Sequence, residues 1–405
     1  MKWFWVISAV LLSVQGWAVA VPAETFTYED LVALIQAKNL KRVEDVLPAL
    51  PDDLRSNYTL MYQSRALQRA SYNNPRAILF GKDAKFILTF IGDQNAFGFE
   101  TLETIQFRPH ERSFDFRQIV FPTIQNGLKD VKFSQQNKTA DGRVSCTSCH
   151  GSEPRPNWDH YRVWPGAYGG HDDQLEGEEE LKYREFVSTR NTSPFYKYLI
   201  QGIKPKDPED VSFRPNLRLS DLIGSLNSLR AMGILERKLG IWQRLGFAVN
   251  SLECKFTDEQ KKVFENAGRD VAQDIDLGVL FKQVGLSNSD WGTEIFGDDK
   301  DVKRPWDHQS GFGYLAENIA MIIVQNLALE GNETLKNALQ TVEVNLRNDH
   351  LGSELEFLLK LNESIPYLDD FGKNYEANRS AVCPELTRVF VNEYIAKGPA
   401  FGRPL

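Results

Sequence analysis

Residues 146 to 150 read Cys-Thr-Ser-Cys-His. Two thiols three positions apart, with an imidazole directly after the second, make the C-x-x-C-H order that attaches a c-type haem. The spacing lets each thiol meet one vinyl group, and the next residue then falls under the iron. Cys146 and Cys149 are therefore the expected attachment points of one covalent haem c. His150 is the expected axial ligand. Two other uses of such a pair compete. A thioredoxin-like C-x-x-C opens a helix after a buried parallel strand, but Val144-Ser145 is too short for that strand and no βαβ pattern surrounds it. A zinc site needs a fourth ligand, such as His160 or His171, and the adjacent Cys149-His150 pair is awkward for one tetrahedral ion.

The residues after the motif suit a flat, apolar cofactor. Pro154-Arg-Pro-Asn-Trp158 leads to Tyr161, Trp164-Pro-Gly166 and Tyr168-Gly-Gly170. Aromatic, Gly and Pro residues together can wrap such a group closely. Trp158 and Trp164 are expected against the haem, and Arg155 is a candidate partner for a propionate. The acidic run from Asp172 to Glu180 reads as the solvated start of a helix rather than a cation site.

The first twenty residues read as an export signal. Lys2 gives a basic start, Trp3 to Val14 an apolar run, and Ala18-Val-Ala20 a small-residue cleavage site, so the mature chain is expected to begin at Val21. Export matters to the motif, because haem of this type is attached outside the cytoplasm. A periplasmic location is expected. No other stretch is long and apolar enough to span a bilayer, and Ile319 to Val324 reads as a buried helix. Lys and Arg total 47 against 55 Asp and Glu, a net charge of −8. That sign repels nucleic acid, so no such partner is expected. The other two cysteines, Cys254 and Cys383, are expected to form a disulfide in an oxidising compartment.

Four regions follow. After the signal (1–20), residues 21–121 hold helices and a small antiparallel sheet. Residues 122–245 form the haem-binding region, and residues 246–405 are helical. Apolar spacing at Leu31, Leu34, Ile35, Leu60, Met61 and Leu67 suggests helix over 27–72. Ala84 to Ile91, Thr101 to Phe107 and the stretch around Phe114 and Phe116 read as strands. Residues 122–174 have no period, and a stretch that long is usually functional. Ser220 is a candidate N-cap before Leu222, and Thr257 with Gln260 forms a capping box. Tyr314 to Leu329 and Thr334 to Val344 are further expected helices. The fold class is α+β and mostly helical, with the sheet preceding the haem loop and a helical C-terminal part.

The motif with Gly151, then Pro154 to Trp158, Trp164 to Gly166, Tyr168-Gly169 and Asp172-Asp173, resembles a group of exported bacterial mono-haem c-type cytochrome-domain proteins. The resemblance extends back to Phe114-Asp-Phe116 and forward to Arg214-Pro-Asn216 and Asn227, about half the chain. It implies covalent haem and bacterial origin, and it implies no substrate. Electron transfer with a redox partner protein or a small donor or acceptor is the leading expectation. A peroxidase-like haem enzyme with an open iron position, or a haem-based sensor, are the alternatives. For the second iron ligand the candidates are Met232, which flanks the Leu222, Leu226, Leu229 stripe, and His171. His160 and His110 stand behind them. Met61, placed by its pattern in an early helix, and Met321, in a helix core, are less suited.

Overall fold

The computed structural model describes residues 26–64, 66, 68–140, 142, 145–151, 153–156, 166–170, 173–175, 177–200, 215–269, 311–343, 354–363 and 368–397. The expected export signal (1–20), Leu67, Val144, Asp172 and Arg214 fall outside them. The protein is α+β, as expected: a six-stranded antiparallel sheet with helices on both faces and a helical C-terminal part.

The chain enters through α1 (Tyr28–Ala37), started by a capping box in which Thr27 accepts from the Asp30 amide. Two short helices follow, α2 (Val43–Val46) and α3 (Asp52–Ser56). The strands are β1 (Tyr58–Met61), β2 (Arg76–Phe80), β3 (Phe86–Phe90), β4 (Thr101–Arg108), β5 (Ser113–Val120) and β6 (Lys132–Phe133), paired in chain order. The expected helix over 27–72 therefore ends at Ser56. Leu60 and Met61 lie on a strand whose partners, Ala77 and Arg76, are more than a dozen residues away. Pairing and burial override local pattern there.

Alternation along the strands divides the core in two. Ala77, Leu79, Leu88, Leu102 and Ile119 face the early helices and α5 (Gly177–Arg190). Ile78, Phe80, Ile87, Phe107, Phe114 and Phe116 face the later helices. With both faces covered, β2 and β3 read as nearly continuous apolar runs, while β4 and β5 keep polar positions among the apolar ones. In α5 the Glu178, Glu179 and Glu180 side chains occupy the first turn, the expected helix start.

The later helices are α6 (Pro215–Lys238), α7 (Ile241–Ser251), α8 (Asp258–Asn266), α9 (Gly311–Leu329), α10 (Glu333–Glu343), α11 (Glu354–Glu363) and α12 (Leu368–Lys397). The Thr257–Gln260 capping box opens α8. The Ile319 to Val324 stretch is buried within α9. No helix among the described residues is long and apolar enough to cross a membrane. Helix α6 begins at Pro215, so Ser220 is not its cap but a fully buried residue in its second turn. Proline suits the first helical position because its missing N–H would be unpaired there anyway. The next two amides, Asn216 and Leu217, donate to the Asp173 carboxylate at 2.9 and 3.0 Å. The cap comes from more than forty residues upstream. Helix α7 runs across position 245, where one expected region meets the next.

Cys254 and Cys383 are joined, with their Cα atoms 5.2 Å apart. The bond ties the chain just after α7 to the middle of α12. An Arg379–Glu253 ion pair at 3.0 Å and a Gln260–Thr387 hydrogen bond at 3.2 Å flank it. Between sheet and helices, Arg112 at the β4–β5 turn pairs with Glu236 on α6 and, through both oxygens, with Glu354 on α11.

Candidate functional site

The motif is pinned to the outer side of β5 by one residue, Asn137. Its amide donates to the Phe116 carbonyl at 2.7 Å, and its side-chain oxygen accepts from the Phe116 amide at 3.0 Å. Its own carbonyl accepts from the Cys146 amide at 2.9 Å. Asn137 adopts φ +56°, the left-handed region that asparagine tolerates better than most residues. A single asparagine thus extends the sheet edge and hands the chain to Cys146.

One helical turn, α4 (Thr147–His150), then carries the motif. The His150 amide closes the turn on the Cys146 carbonyl at 3.0 Å, and Ser148 Oγ donates to the Ser145 carbonyl at 2.7 Å. Gly151, at φ +87°, stops it. The turn separates the thiols: Cys146 is half-buried against the sheet-face core and Cys149 is exposed, and they are not bonded to each other.

His150 is held on three sides. Its Nδ1 lies 2.8 Å from the Arg155 carbonyl, which can only accept, so Nδ1 carries the proton. The neutral ring then keeps its lone pair on Nε2. Its ring lies 4.2 Å from that of Phe116, tilted by 33°. The Arg155 amide returns a bond to the His150 carbonyl at 3.2 Å. Burial lowers the His150 pKa, with the charges of Arg76 and Arg155 acting the same way against the carbonyl bond. The imidazole is neutral at pH 7, the form that binds a metal. Burial, assisted by the negative charge of Glu103, pushes the Cys146 thiol up to about 11.

The donor set fits a covalently held haem. Two thiols not joined by a disulfide, one turn apart, precede an imidazole that keeps its lone pair on Nε2, with Nδ1 oriented by a carbonyl as is usual for metal-binding histidines. No cluster of three or more His, Cys, Asp or Glu side chains able to hold a metal ion occurs among the described residues. No family model matches the chain, and no curated protein or solved structure matches it.

Of the other expected site residues, Arg155 is at the motif but buried, with Nη1 donating to the Pro156 carbonyl at 3.0 Å. Its backbone, rather than its guanidinium, is what orients His150. Trp158, His160, Tyr161, Trp164 and His171 lie outside the described residues. Met232 is buried in α6. Two positions before it, Arg230 donates to the Glu153 carbonyl, just beyond the motif. Residues two apart on a helix point about 200° apart, so the side of α6 that reaches Glu153 is not the side that carries Met232. His110 is exposed at the β4–β5 turn. Met61 is not helical; it is partly buried on the sheet face that carries the motif.

Several quoted residues of the resemblance do converge. Asn216 donates through Nδ2 to the Tyr168 and Gly169 carbonyls at 2.9 and 3.0 Å, beside the Asp173 cap. The Gly166 carbonyl accepts from the Tyr62 amide at 2.8 Å and Ala167 bridges Met61, so this end of the segment lies along β1, opposite the edge that holds the motif. Gly166 sits at φ +84°, where an added Cβ would fall 2.6 Å from the Gln63 carbonyl oxygen. Phe116 and Asp173 were among the residues of the resemblance, but their roles were not foreseen, and Asn137 was missed altogether. The only local signal was an asparagine and an aspartate in irregular chain.

Proposed function

We propose that the chain is an exported, periplasmic c-type cytochrome with one haem joined through Cys146 and Cys149, and that it transfers single electrons. The observation that carries this is the arrangement of α4: two separate thiols followed by a neutral imidazole whose Nδ1–H is committed to the Arg155 carbonyl. Cys146 and Cys149 would hold the porphyrin through thioether bonds, which form without net oxidation. The half-buried Cys146 anchors from the sheet side and the exposed Cys149 from the solvent side. His150 offers Nε2 to the iron and holds its proton on Nδ1. Bound iron supplies a centre that cycles between two oxidation states one electron apart. The partner is a redox protein or a small electron donor or acceptor. Any nucleic-acid partner is opposed by the net charge of −8.

The test is the absorption spectrum of the full chain, expressed with periplasmic haem attachment and purified. Six-coordinate, low-spin ferric haem supports electron transfer. A high-spin spectrum overturns transfer in favour of catalysis or sensing, and a spectrum without haem overturns the whole reading.

A further inference from the structure

Beneath the motif the sheet carries a charged pair on a largely apolar face. Arg76 on β2 donates to Glu103 on β4 at 2.9 Å, reaching across β3. Two further bonds hold it: Nε donates to the Gln68 side chain at 3.0 Å and Nη2 to Thr89 Oγ1 at 3.0 Å. Gln68 is fully buried and is itself fixed by its Nε2, which donates to the Thr101 carbonyl at 2.9 Å. The pair is therefore part of a hydrogen-bonded network rather than a surface contact; the two side chains are 13 % and 20 % exposed.

Sheet register sets its distance from the motif. Phe116, against which His150 packs, is paired with Ile105, and Glu103 lies two residues along β4 on the same face. That places Glu103 about 7 Å along the strand from the residue beside Phe116. Arg76, bonded to Glu103 at 2.9 Å, lies on the same face. Burying two charges is costly, and an apolar pair of similar volume commonly serves stability as well or better. The other polar groups buried on this face, such as Thr59 and Thr89, are uncharged.

We propose that Arg76 and Glu103 set the reduction potential of the iron centre, acting as two opposed fixed charges under the attachment turn. Arg76 stabilises the reduced state by its positive charge and Glu103 the oxidised state by its negative charge. Neither residue binds the haem. The inference rests on the covalent haem proposed above, and the experiment separates the two.

Wild type, R76Q, R76K, E103Q and the R76Q/E103Q double variant are produced as full chains with periplasmic haem attachment. Each is checked for haem by intact mass, and its midpoint potential is measured by spectroelectrochemical titration. Removing Arg76 lowers the potential by about the equivalent of a tenfold change in the oxidised-to-reduced ratio, about 59 mV for one electron. Removing Glu103 raises it by a comparable amount, R76K retains the wild-type value, and the double variant falls between the singles. Haem present with R76Q and E103Q both within twofold of wild type overturns the inference alone. Wild type without haem overturns the earlier reading instead. If R76Q yields no folded protein, E103Q decides, and an unmoved potential there is a contradiction. A loss in R76K equal to that in R76Q also contradicts it, since the charge is kept.

Discussion

The four cysteines of this chain sit in two regions that treat sulfur in opposite ways. In the helical region, Cys254 and Cys383 face each other across α7 and α12 and are joined. On the sheet, Cys146 and Cys149 are closer in sequence yet remain separate thiols, one half-buried and one exposed. A disulfide needs Cα atoms roughly 4.4–6.8 Å apart with converging Cβ vectors. The helical pair meets this at 5.2 Å. The sheet pair is on a helical turn that sends its sulfurs to different surroundings. The lesson is that proximity alone does not decide what a thiol is for. The sheet region holds its pair open, beside an imidazole oriented for a ligand, while the helical region uses its pair as a staple.

The largest expected effect sharpens this contrast at the sheet. Replacing both Cys146 and Cys149 by Ala abolishes covalent haem, whereas replacing Cys254 and Cys383 leaves the haem mass in place. Intact mass of both double variants checks it. Haem retained by the first pair, or lost with the second, breaks the division of labour.

The second effect is on stability. Removing the Cys254–Cys383 bond, which closes a loop of sequence separation 129, costs about 4–5 kcal/mol in the chain-entropy model. Denaturant unfolding of the double Ala variant measures it. A loss below about 1 kcal/mol means the staple does not constrain the unfolded chain as argued. Quantitative thiol labelling of unfolded, unreduced protein carries the companion test, since two reactive thiols beyond the haem-bound pair mean the bond is absent.

How far this was legible from sequence depends on how local the cause is. The Thr257–Gln260 box and the Glu178 to Glu180 start of α5 are local, and both fall where expected, whereas Asp173 of the same acidic run is buried. The disulfide followed by elimination once the motif had claimed two thiols. Strand β1 did not follow, because Leu60 and Met61 become strand only by pairing with Arg76 and Ala77. Helix α6 was expected to start at a local cap near Ser220, yet its cap, Asp173, arrives from a distant loop. The orienting acceptor for His150 is a backbone carbonyl, and a carbonyl has no signature in side-chain identity. Asn137 could not be picked out because its three bonds to the edge of β5 and to Cys146 exist only after folding.

A third, smaller effect follows from that distant cap. Asp173→Ala leaves the first amides of α6 without their acceptor and costs about 1–2 kcal/mol. The same variant should keep its haem, because the cap acts on α6 and not on α4. Thermal unfolding and haem mass together check this. Loss of haem at wild-type stability would place Asp173 in the attachment site instead.

The smallest effect is kinetic and concerns the haem-free chain. With its thiol pushed up to about 11 by burial, only about one Cys146 in a thousand is ionised at pH 8, and the thiolate is the reactive form. Iodoacetamide should therefore modify exposed Cys149 well before Cys146, and raising the pH toward 11 should narrow the gap. Peptide mapping after a timed quench reads the order. Equal rates at pH 8 would show that the sheet does not shelter Cys146.

The central claim is that the open pair holds haem covalently. Intact mass spectrometry of the exported protein, before and after acidified butanone extraction, tests it most directly. The account predicts a chain beginning at Val21 plus one haem, with the added mass unchanged by extraction. A haem-free chain, or a haem that leaves into the butanone layer, contradicts it.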